Sequence, residues 1–389
     1  MASLQKRGND TWLLVVEAGF GSKGKRVKKT KTVKGMKRRE AEKELAKFQT
    51  EVEAGEYIAP TKATFVQFAQ NEWIPKYAKK VLSPLSMKTY VYHLEHTLFP
   101  AIGHRQLHEI KTMHIVSLFD DLDKTVLSGS TKLYIFKVMK SVFNQAVKWR
   151  IIPKNPMDGA DRPKAEKSKP RFYDEIEAQQ VIAALLQEPT KWKLFFLGAM
   201  LGGFRRGELV ALEWTDVNIA EESLLIRKSI SLTINGQAQE KSPKTEGSTR
   251  SVDMPKWFME ELRRFRHTWL EQKMQCGNKW LGGERQYVFH NGDGRPFYHN
   301  TPSMTWRRFI ARHGLPEARL HDLRHTAATL LIESDTDLKA VQERLGHAKY
   351  STTANLYAHV TKKLSKQTAA KLDKFDPAIN FRQQSVNKS

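Results

Sequence analysis

The sequence predicts a multidomain, mainly α-helical protein with small β-sheets: a basic N-terminal three-stranded sheet plus a helix, an all-helical segment and a mixed α/β domain. Three observations lead to this expectation. The first 50 residues hold 14 Lys or Arg against 5 Asp or Glu and contain β-type runs. Residues 62 to about 165 carry apolar side chains at helical spacing. Beyond residue 171, β-type runs and turn residues stand among helical patterns.

The first domain is expected over residues 1–60. The runs "TWLLVVEAG" and "RVKKTKTVK" flank the turn signal "GFGSKGK", which is typical of a β-hairpin. The stretch "MKRREAEKELAKFQTEVEAG" has the apolar period of an amphipathic helix, with Gly55 as a stop signal. A charged surface on an ordinary small domain is the plain alternative.

The second domain is expected over residues 61–165 and is read as all-helical. Ser86 is expected to cap a helix that Pro100 ends, and Ser130 to cap the next long helix. The stretch "IIPKNPMDGADRPKAEKSKPR" holds four prolines and many charges, so it is interpreted as an interdomain linker.

The third domain is expected over residues 171–389. The stretch "LLIRKSISLTINGQAQEKSPKTEGSTRSVDMP" predicts a small antiparallel sheet. Helices are expected around it at 192–201, 206–213, 255–273, 302–313, 322–333, 337–345 and 351–359.

The charge balance indicates the class of partner. Lys and Arg number 65 against 42 Asp and Glu, which gives a net charge of +23. This excess favours a nucleic acid as partner over the alternative of a soluble protein whose surface simply carries more positive than negative charge. No run of 18 apolar residues and no signal peptide occur, so no membrane is expected. The single cysteine, Cys276, cannot form an intrachain disulfide, which fits a reducing cytosol.

Two stretches place polar side chains where a core would not need them. "LGGFRRGELVALEW" sets Arg205 at the start of a helix, where its guanidinium could hold a phosphate and Glu208 could hold the guanidinium. "RLHDLRHTAATLLI" places His321 and Arg324 on one helical turn.

The second stretch leaves two alternatives open. His321 and His325 are four residues apart around Asp322, which is similar to the H-E-x-x-H signature of zinc hydrolases. Asp322 is one methylene shorter than the Glu of that signature, and no obvious signature of a third ligand follows it. A capped helix with ordinary surface His and Arg is the other alternative.

The last candidates lie further along the chain. Lys244 falls in a predicted hairpin turn. A lysine in such a turn is usually solvated, but it could also donate a proton. In "LGHAKYSTTANLYAHV", His347 follows a helix end and Tyr357 lies on the next helix. Tyr350 stands before that helix, in the loop, and is interpreted as a packing residue.

Five stretches in this order, "GGFRRGELVALEW", "PKT", "HDLRHTAATLL", "LGHAKYSTT" and "NLYAHV", resemble the tyrosine recombinase (phage integrase) family. The N-terminal segment resembles the arm-site-binding domain of lambda-type phage and conjugative-transposon integrases. One departure is Gly202-Gly203 where the family often has Thr-Gly. The resemblance implies catalytic roles for Arg205, Lys244, His321, Arg324, His347 and Tyr357, support of the first arginine by Glu208, and DNA contacts by Lys25, Arg26, Lys28, Lys29 and Lys31.

The resemblance implies a site-specific DNA recombinase. Tyr357 would attack phosphorus to give a 3′-phosphotyrosyl link, Arg205 and Arg324 would neutralise the phosphate, and His321 would act as base and Lys244 as acid. No cofactor and no metal are expected. A type IB topoisomerase and a DNA-binding protein without catalysis remain as rival interpretations.

The resemblance also implies partners. They are double-stranded DNA with core-type and arm-type attachment sites, a homotetramer on that DNA, and a host bending factor and an excisionase as accessory proteins. The expected location is the cytoplasm of a bacterial host, on the nucleoid when DNA is bound.

Overall fold

The computed structural model describes residues 2–20, 26–166, 171–234, 237–241, 249–351 and 353–354. The chain divides into two compact units, Met1–Lys167 and Ser168–Ser389. The three-domain division into residues 1–60, 61–165 and 171–389 stays a prediction. Within the described ranges, no helix is both long and apolar enough to cross a membrane.

The first unit begins with the predicted three-stranded sheet. Its strands are β1 (Ala2–Gly8), β2 (Thr11–Phe20) and β3 (Arg26–Lys34), all antiparallel with β2 in the centre. Helix α1 (Arg38–Glu53) covers one face. The small core between them is built from Leu14, Val16, Val33, Ala41, Phe48 and Val52.

The rest of the first unit is helical, as predicted. Helix α2 has three consecutive parts, Phe65–Phe68, the π-helical Ala69–Ala78 and Lys79–Val81. Helix α3 is likewise Pro84–His93, the π-helical Leu94–Leu98 and Phe99–Ile102. Helices α4 (Thr112–Asp123) and α5 (Gly129–Lys148) complete a second core, separate from that of the sheet.

Two of the predicted caps are wrong because a better-placed serine lies upstream. Ser83 caps α3 by accepting from the backbone N of Ser86 at 3.3 Å, so Ser86 is inside the helix. Ser128 caps α5 in the same way, so Ser130 is inside that helix. In both cases the helix begins earlier along the chain than the sequence predicted.

Pro100 does not end α3, contrary to the prediction. The helix widens to a π-helix just before the proline and then continues to Ile102. A proline in a helix removes one backbone hydrogen bond and crowds the carbonyl four residues earlier. Because a π-helical turn changes that backbone register, α3 accommodates the ring.

The predicted linker is partly wrong. Ile152 and Met157 are buried in the helical core of the first unit. Asn155, also buried, donates to Asn144 at 2.7 Å and accepts from the backbone N of Met157 at 2.8 Å. The first half of the stretch therefore belongs to the helical core.

The second unit packs helices around small sheets. Its helices are α6 (Glu175–Leu185), α7 (Thr190–Leu201), α8 (Arg206–Val210), α9 (Lys256–Cys276), α10 (Thr301–Arg312), α11 (Asp322–Glu333) and α12 (Leu338–Leu345). Its strands are β4 (Val217–Asn218), β5 (Ser223–Ile226), β6 (Ser229–Ile234), β7 (Gln237–Lys241) and β8 (Arg250–Asp253).

These strands form two antiparallel sheets, β4-β5-β8 and the hairpin β6-β7. The buried helix α7 contacts α6, α8, α9 and α11, so it lies at the centre of the unit. The predicted helices are present where they are described, and of the stretch 351–359 only residues 351, 353 and 354 are described. The mainly helical fold class with small sheets is confirmed.

Candidate active site

The site begins at the turn between α7 and α8. Gly202 is the C-cap residue that follows α7, and Gly203 comes next with φ of +64°. A Cβ on Gly203 would lie 2.3 Å from Leu345 Cδ2, so only glycine allows this turn to pack against the end of α12. The departure from the family pattern is at Gly202, where a Cβ would lie 2.2 Å from Cε2 of Phe204.

Arg205 stands at the N-terminal end of α8, with its side chain 41 % exposed. Its Nη1 donates to Glu208 Oε1 at 2.7 Å, and its Nη2 donates to the carbonyl of Gly346 at 3.1 Å. The neighbouring Arg206 points elsewhere, because its Nη1 donates to Ser303 Oγ at 3.0 Å. Adjacent arginines thus have separate environments.

Glu208 is a buried carboxylate shared by two arginines. Besides Arg205 it accepts from Nη2 of Arg250 at 2.9 Å and from Nη1 of Arg250 at 3.4 Å. Burial alone would raise the pKa of Glu208, but the hydrogen bond from Arg250 and the charges of Arg250 and Arg205 bring its pKa below the ordinary value. The carboxylate is therefore ionised at neutral pH.

Arg324 lies on α11 and is almost fully buried, at 2 % exposure. Its Nη1 donates to the carbonyl of Gly203 at 2.6 Å, and its Nη2 donates to the carbonyl of Leu345. Burial and the charge of Arg205 lower the pKa of Arg324 to about 9, which leaves it charged at neutral pH.

His321 immediately precedes α11 and is exposed. Although the residue is exposed overall, partial burial of its ring and the charges of His325, Arg324 and Arg205 lower the pKa of His321 below its ordinary value. The ring is therefore neutral at neutral pH and able to accept a proton.

The zinc-hydrolase alternative needs a free carboxylate at Asp322. Instead, the buried Asp322 accepts from the backbone N of Arg319 at 3.0 Å and from its Nε and Nη2 at 2.9 and 2.8 Å. The carboxylate thus closes the N-terminal turn of α11. Over the ranges that the structure describes, no group of three or more His, Cys, Asp or Glu side chains is placed to hold a metal ion.

His347 follows the end of α12 and is half-buried. Its backbone N donates to the carbonyl of Gln342, and its Nδ1 lies 2.9 Å from Thr353 Oγ1. Burial and the charges of Arg324 and Arg205 lower the pKa of His347 to about 4. Arg324 donates to the carbonyl of Leu345 and Arg205 to that of Gly346, so both guanidiniums contact the two residues that precede His347.

Tyr350 differs from its prediction. It is 51 % exposed and helical, rather than a packed loop residue. The other tyrosine, Tyr357, and the hairpin lysine, Lys244, lie outside the described residues, as does Lys25.

The remaining basic residues of the N-terminal sheet lie on two faces. Lys29 and Lys31 pair with Val16 and Leu14, so they share the face that α1 covers, and Lys31 donates to Glu44 at 2.9 Å. Arg26 and Lys28 are exposed, and Lys28 lies on the opposite, open face. The predicted DNA-binding set is therefore not one surface.

Arg250 was missed by sequence reasoning. It begins β8 and is buried, with 8 % of its side chain exposed, and it joins Glu208 to the end of α12 through a 2.8 Å hydrogen bond from its Nε to the carbonyl of Arg344. Its partners are 42 and 94 residues away along the chain. No local pattern marks it.

The result is a cluster of three guanidiniums at the end of α12, two of which share the carboxylate of Glu208, beside a neutral histidine. Arg205 is the most exposed of the three, at 41 % against 8 % for Arg250. Positive charge of this kind, fixed before a ligand arrives, suits a phosphate group.

The chain is similar to known proteins over most of its length. The model of the phage integrase family matches residues 171–363. The ICEBs1 integrase of Bacillus subtilis is 30 % identical over 274 residues, which cover 69 % of this chain and 72 % of that integrase. The chain belongs to the phage integrase family. A tyrosine recombinase XerC-like protein of Caldanaerobacter subterraneus is 28 % identical over 92 % of this integrase and 94 % of its own length.

Solved structures show the same fold. The Tn1549 transposon integrase in complex with a circular intermediate DNA has a TM-score of 0.65 at 16 % identity, over 79 % of this chain and all of that one. A lambda integrase tetramer bound to a Holliday junction has a TM-score of 0.54 at 18 % identity, over 91 % of this chain and 94 % of that one. This integrase is accordingly a tyrosine-type site-specific recombinase.

Proposed function

We propose that this integrase cuts and rejoins DNA through a 3′-phosphotyrosyl intermediate on Tyr357. The observation that carries the proposal is the meeting of Arg205, Arg324 and His347 at the end of α12. These residues come from three separate stretches of the chain, and Tyr357 follows His347 by ten residues.

The two arginines are proposed to hold the scissile phosphate. A phosphodiester repels nucleophiles because it is an anion, and its pentacovalent transition state gathers more negative charge. Arg205 and Arg324 would donate to its non-bridging oxygens, and a preorganised donor of this kind is worth about 3 kcal/mol. Since Thr353 can donate to Nδ1 of His347, the neutral ring is left with a proton on Nε2, which would serve as a further donor.

The proton transfers are assigned to His321 and Lys244. The phenolic oxygen of Tyr357 forms a bond to phosphorus while the bond to the 5′-oxygen breaks. His321, neutral because its pKa is lowered, takes the phenolic proton, and Lys244 donates a proton to the departing 5′-oxygen. Attack by a 5′-hydroxyl on the phosphotyrosine reverses these steps and reseals the strand, so no ATP is needed.

The proposed substrate is double-stranded DNA with core-type and arm-type sites. The net charge of +23 favours phosphate contacts, and Arg26 and Lys28 are exposed basic residues of β3 suited to the arm-type site. Residues 1–60 would bind the arm-type site. Residues 61–165 and 171–389 would together bind the core-type site, and residues 171–389 would cut it.

The assembled form is proposed to be a homotetramer, as the lambda integrase on a Holliday junction is. A host bending factor and an excisionase are proposed as its accessory proteins. The proposed location is the cytoplasm of a bacterial host, where the DNA substrate lies.

The test uses a nicked duplex that traps the covalent intermediate, with its sequence first selected for binding from a randomised pool. Wild type, Tyr357→Phe and Tyr350→Phe are compared in EDTA. An adduct that survives SDS in wild type and Tyr350→Phe but disappears in Tyr357→Phe supports the proposal. An adduct that follows Tyr350, or none on a duplex that wild type binds, contradicts it.

A further inference from the structure

The C-terminal end of α12 carries three consecutive carbonyls, each of which accepts from a different arginine. The carbonyl of Arg344 accepts from Arg250 Nε at 2.8 Å, and that of Gly346 accepts from Arg205 Nη2 at 3.1 Å. Between them, the carbonyl of Leu345 accepts from Arg324 Nη2. The last carbonyls of a helix have no partner within the helix and carry partial negative charge, so they attract cations.

These three arginines come from different elements. Arg205 precedes α8, Arg250 begins β8 and Arg324 lies on α11. The end of α12 therefore fixes the spacing of side chains that nothing local in the sequence holds together. His347 comes directly after these carbonyls, so the same helix end places the histidine as well.

Arg250 differs from the other two in its second set of contacts. Its Nη1 and Nη2 reach both oxygens of Glu208, while Arg205 donates to Oε1 of the same carboxylate through Nη1. Glu208 thus accepts from the buried Arg250 on one side and from the half-exposed Arg205 on the other. Only a planar guanidinium can reach the carbonyl and both carboxylate oxygens at once.

We propose that Arg250 is a positioning residue of the active site, which anchors Glu208 to the end of α12 and thereby aims Arg205 at the phosphate. This inference rests on the proposed function. Without Arg250, Glu208 would keep its hydrogen bonds from the backbone N and the Nη1 of Arg205, but its carboxylate and the guanidinium it holds would lose their link to the carbonyl of Arg344 at the end of α12.

The packing around Arg250 agrees with this role. Gly346 has φ of +64°, and a Cβ at that position would lie 3.0 Å from Nη1 and 3.1 Å from Cδ of Arg250. The guanidinium therefore lies directly under the turn that leads to His347. A shift of Arg250 would be transmitted to both Arg205 and His347.

The test measures single-turnover adduct formation on the nicked duplex for wild type, Arg250→Met and Arg250→Lys. Misplacing a catalytic group by an ångström slows a reaction about 10²-fold, and we expect this loss in the rate constant of both variants. The dissociation constant for the duplex should change by less than about threefold, since the lost interaction acts in the transition state.

Arg285→Met is the matched control. Arg285 donates to the buried Glu213 at 2.7 Å and to Glu240 at 3.2 Å, so its loss also removes an arginine from a buried carboxylate. A purely structural effect lowers the folded fraction, and hence the amplitude of the reaction, without changing the rate constant. We expect only this in Arg285→Met.

A second measurement does not depend on the chemistry. Titration of the ¹³C-labelled Glu208 carboxyl, assigned by its absence from Glu208→Gln, should show a pKa below the ordinary value in wild type and a higher one in Arg250→Met. An unchanged pKa would overturn the inference, as would a normal rate constant in Arg250→Met or full rescue by Arg250→Lys.

The two proposals fail in different ways. If wild type binds the duplex but forms no adduct, the proposed function is wrong, and the Glu208 titration alone decides whether Arg250 holds that carboxylate. If wild type forms the adduct through Tyr357 and Arg250→Met matches its rate constant, only the inference about Arg250 is wrong.

Discussion

Arg205 and Arg206 are consecutive residues whose side chains lie in different places. Arg205 contacts Glu208 and the end of α12, whereas Arg206 donates to Ser303. Both have the same charge and flexibility, so the pair separates an effect of position from an effect of net charge.

This difference gives the first prediction. Arg205→Ala should slow adduct formation by about 10²- to 10³-fold, the cost of removing one preorganised donor from a developing anion. Arg206→Ala should stay close to the wild-type rate. Single-turnover kinetics on the nicked duplex measure both, and equal losses in the two variants would contradict the assignment of Arg205.

At the residue scale, the sequence was informative where a motif is local. Arg205 and Glu208 are one turn apart, as are His321 and Arg324, so their proximity follows from helical spacing. Arg250 could not be found in this way because its contacts join β8 to α8 and α12. The exposure of Tyr350 is likewise set by tertiary packing, which the loop pattern does not encode.

Helix ends are the elements that assemble the site. The turn after α7 and the end of α12 meet through Gly203 and Leu345, and Arg324 donates to a carbonyl on each side. Arg344 adds a 3.1 Å hydrogen bond to the carbonyl of Leu201, the last residue of α7. The site therefore depends on the relative position of the end of α7 and the end of α12.

Gly203→Ala should disturb this relative position. The substitution costs about 1–2 kcal/mol for a left-handed backbone, and its Cβ would also overlap Leu345. Gly314 is the matched control, because it has φ of +61° and a Cβ at that position would meet no atom within 4 Å. Urea unfolding should show the larger loss for Gly203→Ala, and adduct formation should suffer only in that variant. Equal losses in unfolding free energy would contradict the packing argument.

The alternation of β3 gives a prediction for DNA binding. Lys28→Ala should weaken binding to arm-type DNA and reduce the slope of log affinity against log salt by about 1, as expected for one lost phosphate contact. Lys31→Ala should leave that slope unchanged and cost at most about 1 kcal/mol of stability, since Lys31 pairs with Glu44. Salt titrations of binding measure the slope, and equal slopes in the two variants would be inconsistent with separate faces.

The sequence predicted most elements because apolar period and caps are local. It failed at α3, where the helix widens to a π-helical turn before Pro100 and continues beyond it, because the apolar period does not indicate such a turn. It also failed at Ile152 and Met157, where composition indicated a linker but two apolar side chains reach the helical core. The second failure concerns long-range contacts that override a local signal.

For the whole molecule, His290 and His347 are the described histidines whose lowered pKa couples stability to pH most strongly. Burial, with added positive charge nearby, lowers the pKa of both His290 and His347 to about 4 in the folded protein. In His290, Nδ1 accepts from the backbone N of Gly292 and Gly294, so protonation there would break both hydrogen bonds.

The sign follows from the lowered folded-state pKa. As pH falls from the ordinary value of 6.5 towards about 4, the unfolded chain binds protons that the folded protein excludes, and the free energy of unfolding decreases. Above this window these histidines add no pH dependence. Urea unfolding across the window should show a shallower decrease in His290→Gln and in His347→Gln than in wild type, and unchanged slopes would contradict the prediction.

The central claim is that Tyr357 carries the cut strand. The most direct measurement is mass spectrometry of the adduct after trypsin and nuclease digestion. Trypsin leaves both tyrosines on one peptide, residues 350–362, so fragment ions must separate them. We expect a nucleotide attached through its 3′-phosphate to Tyr357. A nucleotide on Tyr350, or one attached through its 5′-phosphate, would contradict the claim.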